Sequence, residues 1–431
     1  MRRLGLLVSA LLFQGGLLGF LSLGASLGAA LEAAQQTELK ADPEARPEAT
    51  AAASDRHYLA PYVFIATGSG VIVSDDGEIL TNAHVIAEVC SPLEPHLEVR
   101  LPGVGEVAAE LVAVDPVGDL ALIRLTGKHP PLTAATFSER IPAPGTMVIA
   151  VGNPFGLGDI DDRPSVSRGV LGTGRVVRGS YPDCLQHDAP INPGNSGGPL
   201  FEVDGHLLGI NGAIRSRSGF RINSGIGLAV SAPHLALFLP ALRNAGRDHG
   251  GWLIRSAIPT GLTLEQRLDG VTVTAGPAPL LPGDILLRVD GRLSPAVDTA
   301  IGLFSSHPWR VDHTVQVHIR RAWPDEKSRE LTLAVATSRA QIPGKPWHGL
   351  VATEHDGRMV LEQVEAVSPA GRAGVLAGDV LLSVNGAAIA NRIDLLRITA
   401  VAGVGDPLDV LLRSPDGAER RIRCFVAHGG P

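Results

Sequence analysis

The stretch GNSGGPL at residues 194–200 places one hydroxyl, that of Ser196, among three glycines, an asparagine and a proline. Serine and asparagine are ordinary turn residues, so a plain glycine-rich turn is one interpretation. The other is a nucleophile, because attack on a carbonyl needs an exposed Oγ and backbone N–H groups free to face the developing oxyanion. Glycines allow the main chain that close approach. A nucleophilic serine also requires a base and a group that orients the base.

Two residues upstream could complete such an acyl-transfer site. His84 lies in ILTNAHVI and Asp119 in DPVGDLALIRL, each beside a predicted strand. Taken singly, either could be a surface or turn residue, because the chain has 14 histidines and Asp115 competes with Asp119. Together with Ser196 they follow the order His, Asp, Ser, which is one known chain order of a serine-hydrolase triad. The pattern therefore indicates a base, an orienting carboxylate and a nucleophile.

Short β-strands are the elements that must position these side chains. Apolar runs flank Asp76-Gly77 and again Asp204-Gly205, and Asp-Gly between two such runs is typical of a hairpin. No long 3.6-residue period appears before residues 233–245. The 4% aromatic content, the 51 glycines and the 32 prolines also favour strands and turns over long helices. The pattern predicts a β-barrel or β-sandwich domain that ends near residue 245.

Charge and cysteine content exclude several classes of protein. The net charge of −7 gives no reason to expect a nucleic-acid partner. Three cysteines, Cys90, Cys184 and Cys424, are too few for a disulfide framework or a cysteine-rich metal site. A single bridge between Cys90 and Cys184 stays open as an alternative, because sequence alone does not show proximity.

The first residues indicate export. Met1-Arg2-Arg3 is basic, residues 4–31 contain no charged side chain, and Gly28-Ala29-Ala30 supplies small residues suited to cleavage. We expect residues 1–31 to be a signal peptide or an uncleaved membrane anchor, since the apolar stretch is long enough to span a bilayer. The Ala-, Glu- and Pro-rich residues 32–56 are predicted to be a flexible linker.

The C-terminal part contains an approximate repeat. Residues 280–298, LLPGDILLRVDGRLSPAVD, match residues 375–394, VLAGDVLLSVNGAAIANRID, with Gly-Asp, a β run and then Asp-Gly or Asn-Gly in each. A separation of about 95 residues makes each unit domain-sized rather than a solenoid repeat. Two small α+β domains are therefore predicted after the barrel domain.

Four segments in combination resemble the HtrA (Deg) family of exported serine proteases: TNAHVI, GDLALIRL, GNPFGLG and DAPINPGNSGGPL. The resemblance implies a mainly β protein, a chymotrypsin-like double β-barrel followed by PDZ domains. It implies a protease domain over 57–246, a degenerate PDZ-like domain over 250–340 and a second PDZ domain over 346–429.

The same resemblance implies roles for individual residues. Ser196 would be the nucleophile, His84 the general base and Asp119 the carboxylate that orients it. The backbone N–H groups of Gly194 and Ser196, with Asn195, would form the oxyanion hole. No metal or organic cofactor is implied.

Two loops are implied to shape the primary specificity pocket. They correspond to GNPFGLG at 152–158 and INSGIGLAV at 222–230. Ile226 and Leu228 would line an apolar pocket there, the alternative being that both are core strand residues.

A PDZ domain binds a peptide as an added strand and holds the terminal carboxylate on backbone groups. HGLVATE in the second unit resembles the carboxylate-binding loop, which makes Gly349, Leu350 and Val351 the candidate peptide-binding residues. The first unit departs from the pattern, because Ile254 stands where the family usually has glycine. Peptide binding and a purely structural spacer stay open for that unit.

Assembly is a further expectation from the resemblance. Family members usually carry an additional N-terminal segment that contributes to trimer contacts, whereas about ten residues separate the linker from TGSG here. Tyr58, Tyr62 and Phe64 would either make homotrimer contacts or pack on the barrel.

The function implied is that of an ATP-independent serine endopeptidase for unfolded or misfolded polypeptides. It would act in the bacterial periplasm, soluble or tethered to the inner membrane, in protein quality control. A chaperone or scaffold with little proteolysis is one alternative. A regulatory protease that cuts one client, signalled by a C-terminal peptide at the second PDZ domain, is the other.

Overall fold

The computed structural model describes residues 60–66, 68–178, 181–214, 225–323, 328–342 and 344–429. The expected leader at 1–31, the linker at 32–56 and Tyr58 lie outside the described residues. None of the helices within the described ranges is long and apolar enough to cross a membrane.

Six antiparallel strands close the first barrel in the order β1-β2-β3-β6-β5-β4. Alternate side chains of its longest strand, Val107, Ala109 and Leu111, are buried inside, as the two-residue period of a strand requires. Asp76-Gly77 forms the turn between the second and third strands, with Gly77 at a φ of +93°. The strands are β1 (Tyr62–Ile65), β2 (Gly68–Ile72), β3 (Glu78–Thr81), β4 (His96–Leu101), β5 (Gly105–Asp115) and β6 (Leu120–Leu125).

A second barrel follows in the order β10-β11-β12-β9-β8-β7. The two closed barrels confirm the prediction of a double β-barrel. The strands are β7 (Met147–Gly152), β8 (Ser165–Arg178), β9 (Tyr181–His187), β10 (Pro199–Glu202), β11 (Leu207–Ile214) and β12 (Gly227–Ser231).

One long helix closes the core that the barrels share. The six described helices are α1 (Ala83–Ile86), α2 (Gly158–Asp161), α3 (Ala232–His249), α4 (Val297–Phe304), α5 (Pro369–Arg372) and α6 (Arg392–Thr399). The helical period at 233–245 is confirmed by α3, which Ser231 caps by accepting from the His234 N–H. Phe238 and Leu242 of α3 pack with Leu122 of the first barrel and Ile210 of the second. This shared core fixes the barrels to each other.

Two further sheets have the same strand order, which confirms that the repeat marks two similar units. The first runs β14-β15-β16-β18-β19 and the second β22-β23-β24-β26-β27, each with a short strand beside its central strand and a separate two-stranded ribbon. The strands are β13 (Ser256–Ala257), β14 (Thr263–Arg267), β15 (Gly270–Ala275), β16 (Ile285–Val289), β17 (Arg292–Leu293), β18 (Thr314–Ala322), β19 (Ser328–Ala336), β20 (Ser338–Arg339), β21 (Pro346–Trp347), β22 (Val351–His355), β23 (Arg358–Gln363), β24 (Val380–Val384), β25 (Ala387–Ala388), β26 (Pro407–Arg413), β27 (Glu419–Phe425) and β28 (Ala427–His428).

The Gly-Asp signature of the repeat is a turn whose aspartate is buried. Asp284 accepts the Leu281 N–H at 2.9 Å, and Asp379 accepts the Leu376 N–H at 2.8 Å. Both aspartates are buried, and each is paired with an arginine. Because a buried carboxylate is costly unless it is hydrogen-bonded or paired, these contacts let each aspartate stabilise the turn of its unit.

The three cysteines are free and buried, so the alternative of a Cys90–Cys184 bridge is wrong. Burial raises the pKa of Cys90 and of Cys424 to about 11 and raises the pKa of Cys184 further. The thiols are therefore protonated and unreactive near neutral pH.

Candidate active site

His84 and Asp119 form a hydrogen-bonded pair at the edge of the first barrel. His84 lies in α1, directly after β3, and Asp119 lies in the turn between β5 and β6. The imidazole Nδ1 is 2.8 Å from Asp119 Oδ2 and 3.0 Å from Oδ1, and the His84 backbone N–H donates to Oδ1 at 2.9 Å. Because the carboxylate accepts the Nδ1 proton, this contact selects the tautomer that leaves Nε2 able to act as a base.

The turn that presents Asp119 is held from several sides. Asp119 has a φ of +56°, a left-handed conformation that aspartate tolerates better than most residues. The Asn82 side-chain amide donates to its carbonyl at 3.0 Å. Asp115, the competing acid, accepts the Gly118 N–H at 2.8 Å and is paired with buried Arg255. Asp115 therefore supports the turn, and Asp119 is the acid that contacts His84.

Ser196 is half-buried in a turn between β9 and β10 and lies against β2 of the first barrel. The Ser69 N–H donates to the Ser196 carbonyl at 2.8 Å. A Cβ on Gly68 would lie 2.7 Å from the Val85 side chain and 3.0 Å from the Ser196 carbonyl oxygen. Val85 follows His84 in the chain. Gly68 therefore lies between the segment of His84, the candidate base, and the segment of Ser196, the candidate nucleophile.

The serine hydroxyl is not engaged. Within the described residues Ser196 Oγ makes no hydrogen bond, whereas the His84–Asp119 pair is already formed. In unliganded sites such catalytic hydrogen bonds are often long and tighten only when substrate binds. The site therefore contains a formed His84–Asp119 pair and a Ser196 hydroxyl that makes no hydrogen bond to a described residue.

The backbone amides of the turn that carries Ser196 differ in their hydrogen bonds. The Asn195 N–H already donates to the Asn192 carbonyl at 3.0 Å. The N–H groups of Gly194 and Ser196 donate to no residue that the structure describes. Gly194 has a φ of +104°, and a Cβ there would lie 2.0 Å from the Asn153 carbonyl oxygen. Glycine is therefore required at 194 both for the conformation and for the space.

Ser69 holds the turn that carries Gly194, a role that sequence reasoning missed. Its hydroxyl donates to the Gly194 carbonyl at 2.8 Å and accepts the Asn153 N–H at 3.0 Å. The Phe155 N–H donates to the Pro193 carbonyl at 2.8 Å, so the GNPFGLG segment supports the same turn. In the sequence, this role was indicated only by the position of Ser69 between Gly68 and Gly70.

The two candidate pocket residues differ in exposure. Ile226 is exposed, whereas Leu228 is buried in β12 opposite Gln186 of β9, as the core alternative predicts for it. Between them Gly227 lies against the ring of His187. Burial lowers the pKa of His187 to about 4, so this ring is neutral at physiological pH.

The candidate peptide-binding segment of the second unit precedes an edge strand. Gly349 has a φ of +76°, and a Cβ there would lie 2.3 Å from the Ser368 side chain. Leu350 is buried and its N–H donates to His348 Nδ1 at 3.0 Å. Val351 begins β22 and is 62% exposed. The segment thus combines a glycine of left-handed backbone with an edge strand.

The corresponding segment of the first unit is used differently. Ile254 is buried in the core of the first barrel. The Val114 N–H donates to the Gly251 carbonyl and the Leu253 N–H to the Val114 carbonyl, both at 2.8 Å. The departure at Ile254 therefore serves packing between this segment and the barrel.

Aromatic residues near the start of the described chain pack internally. Phe64 is buried and lies against Gly158, where a Cβ would come 2.5 Å from the ring. Tyr62 stacks on Phe64 with ring centroids 6.4 Å apart. Both observations favour the packing alternative for these two residues.

Comparisons with known proteins bear on the same parts of the chain. A family model described as a trypsin-like peptidase domain matches residues 68–210, and one described as a PDZ domain matches residues 360–414. A protein of Halomonas elongata, named probable periplasmic serine endoprotease DegP-like, is 33% identical over 350 residues, which cover 74% of this chain and 70% of that protein. A protein of the same name from Brucella suis is 28% identical over 393 residues, covering 84% and 73%.

Similar solved structures carry related descriptions. An HtrA-type protease AlgW with tripeptide is 27% identical, with a TM-score of 0.49, over 66% of this chain and 96% of that chain. A serine endoprotease from Yersinia pestis is 28% identical, with a TM-score of 0.43, over 65% of this chain and 96% of that chain.

Proposed function

Because the chain belongs to the HtrA/DegP-like family of serine endoproteases, and is itself a serine endopeptidase, we propose that Ser196, His84 and Asp119 are its catalytic triad. We propose further that it hydrolyses unfolded or misfolded polypeptides in the bacterial periplasm. The observation that carries the proposal is the 2.8 Å contact between His84 Nδ1 and Asp119. Gly68 lies between the chain segment next to His84 and the Ser196 carbonyl.

The proposed reaction follows from the tautomer that Asp119 selects. His84 Nε2 takes the proton of Ser196 Oγ as the oxygen attacks the scissile carbonyl, and Asp119 stabilises the imidazolium without taking the proton. The imidazolium then protonates the leaving amine as the peptide C–N bond breaks. Water, deprotonated by the same imidazole, releases the acyl group and regenerates the hydroxyl.

The oxyanion would be held by the N–H groups of Gly194 and Ser196. The Asn195 N–H is not one of these donors, because it already donates to the Asn192 carbonyl. One oxyanion-hole donor is typically worth about 10²–10³ in kcat. The hydrogen bonds of Ser69 to the 194 turn supply the preorganisation that such a donor needs.

Polypeptides with a free C-terminus are the proposed ligands of the second C-terminal unit. Its edge strand β22 can accept an added strand, and Val351, Ile393 and Leu396 are exposed apolar side chains on β22 and α6. Gly349 and Leu350 would form the carboxylate-binding loop. We propose bounds of 346–429 for this domain and of 57–246 for the protease domain.

The first C-terminal unit, with proposed bounds of 250–340, would act as a structural spacer. Its entry segment packs on the first barrel through Ile254. Its helix α4 packs on the second barrel, where a Cβ on Gly302 would lie 2.4 Å from Val177. Ile226, exposed beside β12, is the remaining candidate for an apolar primary specificity pocket.

Casein digestion by the wild type and by Ser196→Ala tests the function. We expect the wild type to degrade casein and the variant to lose at least about 10³-fold in rate, because removal of the nucleophile leaves only the weak catalysis of the rest of the site. Equal and robust digestion by both proteins would show that the nucleophile is misassigned. If neither protein cuts casein but both suppress its aggregation, the chaperone alternative replaces the protease proposal.

A further inference from the structure

We propose that Tyr181 is a positioning residue of the active site, whose phenol hydroxyl holds the Asp119 carboxylate in the orientation that pairs with His84. The inference rests on the proposed triad and adds a residue that comes from the other barrel. Tyr181 is the first residue of β9, which pairs antiparallel with β8.

The contact itself is short and charged. Tyr181 Oη lies 2.5 Å from Asp119 Oδ2 and 3.1 Å from the Gly212 carbonyl oxygen. A phenol carries one proton, and the carboxylate is both the nearer and the charged acceptor, so the hydroxyl donates to Asp119. Oδ2 then accepts from Tyr181 and from His84 Nδ1, while Oδ1 accepts the His84 backbone N–H. The carboxylate is thereby prevented from rotating about its own axis.

Gly212 makes room for this phenol. A Cβ at 212 would lie 2.9 Å from Tyr181 Cε1 and 3.1 Å from Oη, which is too close for any side chain. Gly212 is not among the residues with a positive φ, so the backbone conformation alone does not demand glycine there. The register of β11 shifts between Asn211 and Ala213, which leaves Gly212 as the extra residue of the bulge. The bulge of β11 at Gly212 therefore leaves space for the Tyr181 ring.

The hydrogen bond connects the two barrels at the site. Asp119 and His84 belong to the first barrel, whereas Tyr181 and Gly212 belong to the second, which also carries Ser196. Without Tyr181, the described side-chain contacts to the Asp119 carboxylate come only from His84 in its own barrel. The phenol therefore fixes the orienting acid in the frame of the barrel that holds the nucleophile.

The hairpin that carries Tyr181 is itself anchored. Asp183 is buried and paired with Arg175 across the hairpin at 2.8 Å. Arg292, from the first C-terminal unit, donates to the Arg175 carbonyl at 2.9 Å and lies 3.7 Å from Asp183. The phenol is consequently held at a defined position, as a positioning residue requires.

Tyr181→Phe removes the hydroxyl and keeps the ring. We expect kcat on a peptide substrate to fall about 10-fold with KM unchanged, because a hydrogen bond to a charged group is lost and the base is less well oriented. The carboxylate, no longer sharing its charge with the phenol, stabilises the imidazolium more strongly. The acidic limb of the kcat/KM profile should therefore move to higher pH, a change that a merely structural residue would not produce.

Ser138→Ala is the matched control. It removes a hydroxyl outside the triad that lies 2.9 Å from the Arg140 carbonyl oxygen and 3.1 Å from the Glu202 carboxylate. We expect wild-type kcat and an unmoved pH profile for this variant. The proposal is overturned if Tyr181→Phe keeps kcat within about twofold of the wild type, or if its pH profile does not move.

A spectroscopic measurement separates this proposal from the protease proposal. In a Ser196→Ala background, which needs no activity, the His84 Nδ1 proton is followed by NMR with Tyr181 and with Tyr181→Phe. We expect its resonance to move downfield in the second protein, since the carboxylate becomes a stronger acceptor. An unchanged resonance overturns the positioning role. If casein digestion shows another nucleophile while this resonance moves, the protease proposal fails and the Tyr181–Asp119 coupling stands.

Discussion

The two C-terminal units share a strand order and a Gly-Asp turn with a buried aspartate, but they use the residues before their edge strands in opposite ways. Before β14, residues 251–255 are joined to the first barrel through Val114, and Arg255 is buried against Asp115. Before β22, Gly349 has a left-handed backbone beside an open edge, and Val351 is exposed. The difference teaches that one sheet topology can have its entry segment packed on a barrel or can leave that segment beside an open edge, according to what the segment contacts.

The largest expected effect comes from removing the buried ion pair between Arg255, before β14, and Asp115 of the first barrel. In Arg255→Met, Asp115 keeps its position, fully buried, without its cation. We expect the free energy of unfolding, from urea titration, to fall by about 3–5 kcal/mol, because an uncompensated buried charge is costly.

The second unit supplies a matched control, since Arg423 pairs with Asp409 on an exposed part of its sheet. Arg423→Met should leave the urea transition where it is, because exposed ion pairs contribute little. An equal loss of unfolding free energy in both variants would mean that the buried contact of the first unit stabilises the protein no more than the exposed ion pair of the second unit.

The next test acts on the binding segment of the second unit. Gly349→Ala places a Cβ 2.3 Å from the Ser368 side chain at a φ of +76°. We expect binding of a fluorescent peptide that ends in a free valine to weaken by at least about tenfold, since the loop that would hold the carboxylate must move. Fluorescence anisotropy measures the effect.

Gly357→Ala is the control for backbone strain, because Gly357 has a φ of +70° and open space around it. Its peptide affinity should stay near that of the wild type. Equal weakening in the two variants would show that strain, and not the position of the loop, decides binding.

The smallest expected effect is a dependence of stability on pH. The Leu350 N–H donates to His348 Nδ1, which requires an unprotonated nitrogen. Burial lowers the pKa of His348 below its usual 6.5. Because the unfolded chain binds this proton more readily, the contribution is fully present above about pH 6.5 and is lost as the pH falls below it.

His348→Gln, neutral at every pH, is expected to show a flatter dependence of its unfolding free energy on pH than the wild type as the pH falls below about 6.5. The comparison of the two urea titration series isolates this histidine from the other buried ones. Identical pH dependence in both proteins would show that protonation of His348 does not affect the stability of the protein.

Much of the fold was predictable because it depends on short-range patterns. Asp-Gly between apolar runs predicts the β2–β3 turn, and the helical period at 233–245 predicts α3. The Gly-Asp turns of the repeat depend on residues three apart, as the Asp284–Leu281 bond shows. Such patterns are complete within a few residues, so they can be recognised before any tertiary contact is known.

The candidate site was predictable in part. His84, Asp119 and Ser196 were found from their motifs and chain order, and the structure places His84 in contact with Asp119. The exposure of Ile226 and the burial of Leu228 could not be distinguished, because both lie in one apolar run and only the start of β12 at Gly227 separates them.

By itself, the sequence determined the strands, the turns and the types of residue available for chemistry, since these follow from local conformational preference. Only the tertiary structure decided their partners. Tyr181 reaches Asp119 across 62 residues, and Arg255 reaches Asp115 across 140. The physical reason is that these contacts depend on how two barrels and a following unit dock, and no spacing along the chain encodes the direction in which a side chain then points.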